Sequence, residues 1–213
     1  MDSVLLAKFV TLTLVLLAGS ADGQVVLKFG KCPKVVGQPT LDKDKYFGVW
    51  YEYERFPAIF EAGLDCTSAT YSPAEDAIKV TNNGTLRTDL LGKKVVLRNS
   101  TSNGRAVVIN PDKPAELSVA FGGAPQSKRA NYKIMATDYT TYSVIFSCTQ
   151  LEEVNLQFAW ILTRARGVAP PNLKRLKSKL AAAGVDVTEF FVVDQKDCPA
   201  KGPTTADIVM DEV

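Results

Sequence analysis

Short apolar and aromatic runs, separated by turn residues, fill most of the chain. Nine of them read as β-strands: Trp50–Phe56, Cys66–Ser72, Ile78–Asn83, Val95–Leu97, Ala106–Ile109, Leu117–Phe121, Tyr132–Ala136, Tyr142–Cys148 and Leu156–Leu162. In the third run Ile78, Val80 and Asn82 share one face, and Lys79, Thr81 and Asn83 the other. Pro73–Asp76 and Ser102–Gly104 read as turns. The two runs between Val95 and Ile109 are one interrupted strand or a hairpin, and the pattern leaves both open. After Pro170-Pro171 the period changes. Leu173, Leu176 and Leu180 fall on one side, Lys174, Arg175, Lys177 and Lys179 mostly on the other, and Gly184 closes the segment. Pro at the start and Gly at the end mark one amphipathic helix of about three to four turns. Its basic face is either solvated or a lipid-surface contact. Val187–Asp194 is expected to be a final strand. Many short strands followed by one helix imply an all-β fold, an antiparallel barrel or a sandwich. An eight-stranded barrel has room inside for one small ligand.

The ends are set apart. Phe9–Ala18 is an apolar run behind Lys8, followed by the small residues Gly19, Ser20 and Ala21. It falls short of the roughly 20 residues that cross a membrane. Residues 1–23 therefore read as a secretory signal peptide, residues 24–199 as one domain and residues 200–213 as a flexible acidic tail. In an oxidising compartment the four cysteines, Cys32, Cys66, Cys148 and Cys198, favour two disulfides, with three pairings open. Two sequons, Asn83-Gly84-Thr85 and Asn99-Ser100-Thr101, agree with a secreted, extracellular glycoprotein.

The 213 residues carry 25 basic and 23 acidic side chains and no histidine. A charge this balanced gives no nucleic-acid footprint. Without histidine there is no Ser-His or Cys-His pair, no proximal haem ligand and no common catalytic zinc shell. No metal site and no resident cofactor are expected.

Three motifs add to this reading. Tyr46-Phe-Gly-Val-Trp-Tyr-Glu52 places Gly48 and Trp50 at the first barrel strand, Thr137-Asp138-Tyr139 lies between two strands, and Arg164 ends Trp160-Ile-Leu-Thr-Arg. In this order, behind a signal peptide and before one helix, they resemble the lipocalin family. Gly30-Lys-Cys-Pro33, Ala136-Thr-Asp-Tyr139, Phe158-Ala-Trp-Ile-Leu162, Asp194-Gln195 and Cys198-Pro199 resemble its apolipoprotein D branch and the insect relatives, Lazarillo-type proteins among them. The resemblance implies an eight-stranded antiparallel up-and-down barrel with one C-terminal helix on its side. It implies that Trp50 plugs the closed end under Arg164, that Thr137-Asp138-Tyr139 makes a tight turn there, and that Cys32 pairs with Cys148 and Cys66 with Cys198.

The same resemblance puts Tyr46, Tyr71, Asn82, Phe121, Tyr132 and Trp160 on a cavity wall. Parity adds Phe158 and Leu162 to Trp160, and Ile134 and Ala136 to Tyr132. Alternation alone favours a filled core, and the resemblance reverses that preference. The wall is expected to be apolar and aromatic, with no array of charges, and to suit a small hydrophobic ligand with one polar end. Phe56, Ile59 and Phe60 are expected at the mouth, as a lid or as a transient contact with membrane or lipoprotein surface. The implied function is carriage of a fatty acid, a sterol-like molecule or a related lipid. Bilin binding is the alternative, followed by a lipid-protective stress role or a receptor-facing role. One lipocalin branch isomerises prostaglandin through a cavity thiol; four paired cysteines leave none, so no enzyme is expected.

Overall fold

Residues 25–199 are described in a computed structural model. The expected signal peptide and C-terminal tail lie outside these residues. The alternating runs form β1 (Val26–Phe29), β2 (Gly48–Arg55), β3 (Leu64–Ala74), β4 (Ala77–Leu90), β5 (Lys93–Val108), β6 (Glu116–Phe121), β7 (Tyr132–Thr137), β8 (Tyr142–Leu151), β9 (Val154–Thr163) and β10 (Phe191–Val192). Strands β2 to β9 pair antiparallel in sequence order, and β9 closes on β2. This is the expected eight-stranded up-and-down barrel. Strand β1 extends β9 and β10 extends β2, both beyond the closure. A helical turn, α1 (Lys43–Tyr46), precedes β2, and α2 (Leu173–Ala182) follows the barrel.

Two cores result. Inside the barrel, Tyr46, Trp50, Tyr71, Ile134, Ile145 and Leu162 pack together. Outside it, Leu176 and Leu180 of α2 meet Val26, Val35, Phe56, Val144, Phe146 and Ala159. Leu180 therefore sits on the side of the wall opposite the cavity, and the helix seals the sheet as its leucine stripe requires.

Several details differ from the expectations. The segment 93–108 is one strand, so Ser102–Gly104 is not a turn. Gly104 instead makes room for a neighbour: a Cβ there would stand 2.6 Å from the Phe121 ring and 2.8 Å from the Ala120 carbonyl. Val187–Asp194 is not a continuous strand. Asp186 accepts from the Thr188 amide and starts a 3₁₀ turn over Val187–Glu189, leaving only Phe191–Val192 to pair with β2. Strand β1 was not foreseen, because its short run follows directly on the expected signal peptide.

Among the described residues, four register shifts interrupt the strand pairing, and two of them bear on the in–out placement of expected residues. One lies between Glu52 and Glu54, the other between Ile134 and Ala136. Past the first, Phe56 is buried against α2, with its ring 4.6 Å from that of Phe190. It is therefore absent from the mouth. Past the second, Ala136 joins the outer core and not the inner one.

The disulfides are Cys32–Cys148 and Cys66–Cys198, as the resemblance implies. The first ties the segment after β1 to β8. The second ties the C-terminal strap to β3, where the Cys66 amide also donates to the Asp194 carbonyl.

Candidate functional site

The closed end is built around Trp50. Its buried indole N–H donates to the Tyr46 carbonyl at 2.9 Å. The Arg164 guanidinium carbon lies 3.7 Å from its ring centroid, a cation–π contact. The Arg164 side chain also donates to the carbonyls of Lys45, Tyr46, Phe47, Val49 and Tyr139. Gly48 fits this clamp twice over. Its φ is +100°, and a Cβ would stand 3.2 Å from Arg164 Nη1.

Thr137-Asp138-Tyr139 forms the turn between β7 and β8. Tyr139 has φ +69°, and its hydroxyl accepts from Gln38 and from the Asp42 amide. The Asp138 carboxylate accepts from the amides of Thr140, Thr141 and Tyr142. Partial burial pushes its pKa up, but the Thr141 hydroxyl and these amides outweigh that and hold it below the usual range.

Above the plug lies a cavity of about 450 Å³, within the roughly 300–1,000 Å³ usual for small-molecule sites. Tyr71, Asn82, Phe121, Tyr132, Phe158 and Trp160 all line it. Tyr46, expected on the wall, does not. It lies beneath, its ring 5.3 Å from Trp50 and 5.0 Å from Tyr71, with its hydroxyl 2.9 Å from Ser143 Oγ. Tyr46 thus thickens the floor. The hydroxyls of Tyr71 and Tyr132 meet at 2.6 Å across the cavity. Burial pushes Tyr71 up to about 12 and Tyr132 well above the usual phenol. Phe158 and Trp160 stack with centroids 6.1 Å apart.

The wall is not free of charge. Glu52 and Glu61 both line the cavity, and both are buried. Buried Arg55 donates to Glu52 Oε2 at 2.8 Å and to Thr67 Oγ1, while Thr67 donates to the same Glu52 oxygen at 2.7 Å. The second Arg55 Nη reaches the carbonyls of Glu61 and Leu64, and its Nε lies 3.7 Å from Glu61 Oε2. The Trp160 indole N–H donates to that Glu61 oxygen at 3.2 Å. Burial first, then the neighbouring Glu52 carboxylate, holds the Glu61 carboxyl well above the usual range, against the pull of Arg55. Alternation from Trp50 could have located Glu52. Glu61 follows a bulge and a 3₁₀ turn, Ile59–Glu61, so no periodic signal reaches it.

At the open end Ile59 and Phe60 are exposed, 70% and 57%. The Phe60 ring lies 5.2 Å from Phe158, on the cavity's edge. Strands β4 and β5 continue past the start of β3, which pairs with β4 at Leu64↔Leu86. Their tip exposes Leu90, Leu91 and Leu97. The sequon side chains face each other across these strands. Thr101 donates to Asn83 Oδ1 and Thr85 to Asn99 Oδ1.

The lipocalin-like domain family matches residues 41–195. Apolipoprotein D of Macaca fascicularis is 37% identical over 185 residues, 86% of this chain and 92% of the relative. Lazarillo protein of Schistocerca americana is 28% identical, covering 87% and 83%. Bilin-binding protein of Pieris brassicae is 25% identical, covering 64% and 69%. Among solved structures, insecticyanin from Manduca sexta superposes with a TM-score of 0.63 at 22% identity, covering 82% and 91%. By its domain match, its relatives and its closed barrel, the chain belongs to the lipocalin family.

Proposed function

We propose that this protein is a secreted carrier that takes a small hydrophobic molecule, a fatty acid, sterol-like molecule or related lipid, into the barrel cavity. The observation that carries this reading is the volume left between the Trp50 plug and the mouth, walled by Tyr71, Phe121, Tyr132, Phe158 and Trp160. Burying a sixteen-carbon chain there would yield on the order of 10 kcal/mol, at about 0.8 kcal/mol per methylene. Immobilisation and chain ordering take back several of these. The burial term is non-directional, so selectivity by shape is broad.

Secretion is supported by the leader at 1–23, both disulfides and the two sequons, with Asn83 and Asn99 as the proposed glycan sites. Ile59 and Phe60, joined by the exposed leucines of the β4–β5 tip, form the proposed lipid-surface contact during loading. All four cysteines are closed in disulfides, so no cavity thiol supports an enzymatic reading.

A bilin is the second reading, favoured by the relative named for bilin binding and by the aromatic wall. Native mass spectrometry of the secreted protein, with solvent extraction of whatever co-purifies, tests both. A bound lipid is the expected result. A blue protein with visible absorbance would transfer the assignment to a bilin. A cavity that takes up no hydrophobic probe at any concentration would end both readings.

A further inference from the structure

The cavity has one corner built from carboxyl groups. Glu52 and Glu61 contribute carboxyl groups to the wall, and among the described residues no lysine or arginine lines it. Arg55 stands behind the pair. Both its Nη atoms are engaged by Glu52, Thr67 and the carbonyls of Glu61 and Leu64, and its Nε is directed at Glu61. Its Nε, 3.7 Å from Glu61 Oε2, has no hydrogen-bond partner but is buried, and Arg55 does not line the cavity. The corner therefore holds two acids and one base, and every other polar group around it is neutral: the Trp160 indole, the Thr67 hydroxyl and the Tyr71 and Tyr132 phenols.

A guest carboxylate seated here would face two carboxyl groups in a low-dielectric wall, with no lysine or arginine lining the cavity to answer it. A hydroxyl or an ammonium would find carboxyl oxygens ready to accept. We propose that the cavity selects hydrophobic molecules whose head group donates hydrogen bonds and carries no negative charge, a long-chain alcohol or a protonated long-chain amine, over the anions of fatty acids. This inference rests on the carrier reading and narrows it.

Burial raises the pKa of the Glu61 carboxyl, so this group keeps its proton to higher pH than a free glutamate. At a pH where Glu61 is protonated, an arriving ammonium displaces that proton to water and pairs with the carboxylate. An alcohol releases nothing.

The test uses the full secreted, disulfide-bonded protein and a neutral fluorescent probe, N-phenyl-1-naphthylamine, displaced by dodecylamine, dodecanol or dodecanoate at pH 7.4. The amine and the alcohol are expected to displace it at about tenfold lower concentration than the acid, the effect of one unfavourable charge contact. In Glu61→Gln the gap is expected to shrink by about threefold or more. Calorimetry in two buffers of different ionisation enthalpy is expected to show proton release on amine binding that grows as pH is lowered from 8 to 5, and none on alcohol binding. That readout keeps the test open even where the variant does not fold. Equal displacement by all three overturns the head-group selection and leaves the carrier reading standing. A gap unchanged in Glu61→Gln, or no proton released by the amine, overturns the assignment to Glu61. A probe that does not bind at all overturns the carrier reading and this inference with it.

Discussion

The guanidinium of Arg164 covers the Trp50 ring at 3.7 Å while holding the carbonyls of five residues from two separate segments. A cation over an indole contributes only about 0.5–2 kcal/mol. The larger part of the arginine's role is to satisfy carbonyls that converge where α1, β2 and the Tyr139 turn meet. Arg164→Lys keeps the charge but cannot reach that many acceptors. It is expected to lower stability by about 1–3 kcal/mol, the cost of leaving partly buried acceptors unmet. Urea denaturation followed by near-ultraviolet circular dichroism measures this. A lysine variant as stable as the parent would show that charge alone holds the plug.

Trp50 and Trp160 are expected to behave oppositely. Trp50 is fully buried in the floor, so Trp50→Ala should cost about 3–5 kcal/mol and leave little folded protein. Trp160 is half-buried on the cavity wall, with free volume beside it. Trp160→Ala should weaken a lipid probe several-fold and shift melting only modestly. Thermal melts and probe titrations of both variants decide. Normal binding by Trp160→Ala would remove that residue from the site.

How far the sequence discloses this site follows from periodicity. Where a strand runs unbroken, parity places its side chains: Phe158, Trp160 and Leu162 of β9 all line the cavity. Where a bulge intervenes, parity misleads, as it does for Ala136; Phe56, expected in a loop at the mouth, lies past the other bulge and packs outside the barrel. Tyr46 shows another limit. It sits at the end of a helical turn, where strand alternation says nothing of depth, and the fold places it below the cavity. Gly104 looks like turn chemistry in Ser102-Asn103-Gly104, yet its cause is the Phe121 ring on the next strand. The carboxyl corner needs Glu52 and Arg55 from β2, Thr67 from β3 and Glu61 from the connection between them. No local pattern announces that convergence.

Gly104 offers a test of its own. Any side chain there must displace the Phe121 ring or the Ala120 backbone. Phe121 also lines the cavity. Gly104→Val is expected to destabilise the β5–β6 pair by about 1–3 kcal/mol through overpacking and to weaken probe binding together with it. Melting and probe titration on one preparation measure both. Unchanged affinity alongside lowered stability would mean that Phe121 contributes nothing to the guest's enclosure.

Glu61 makes the stability of the barrel depend on pH in a direction opposite to that of an ordinary paired acid. Its folded-state pKa is raised, chiefly by burial and then by Glu52, above the roughly 4.3 of an unfolded glutamate. The folded chain therefore holds a proton that the unfolded chain has lost. The resulting stability is fully present below about pH 4.3 and declines as pH rises toward the folded pKa. Glu61→Gln keeps an acceptor for the Trp160 indole and removes the titration. It is expected to melt close to the parent near pH 4.5 and above it near pH 8. Asp138 acts the other way. Its lowered pKa contributes stability above the unfolded value of about 3.9, and that contribution fades only as pH falls through the folded pKa. The two effects therefore separate along the pH axis, and the difference between parent and Glu61→Gln isolates the glutamate. A constant difference across pH 4.5–8 would mean that Glu61 is ionised throughout, with Arg55 outweighing both its burial and Glu52.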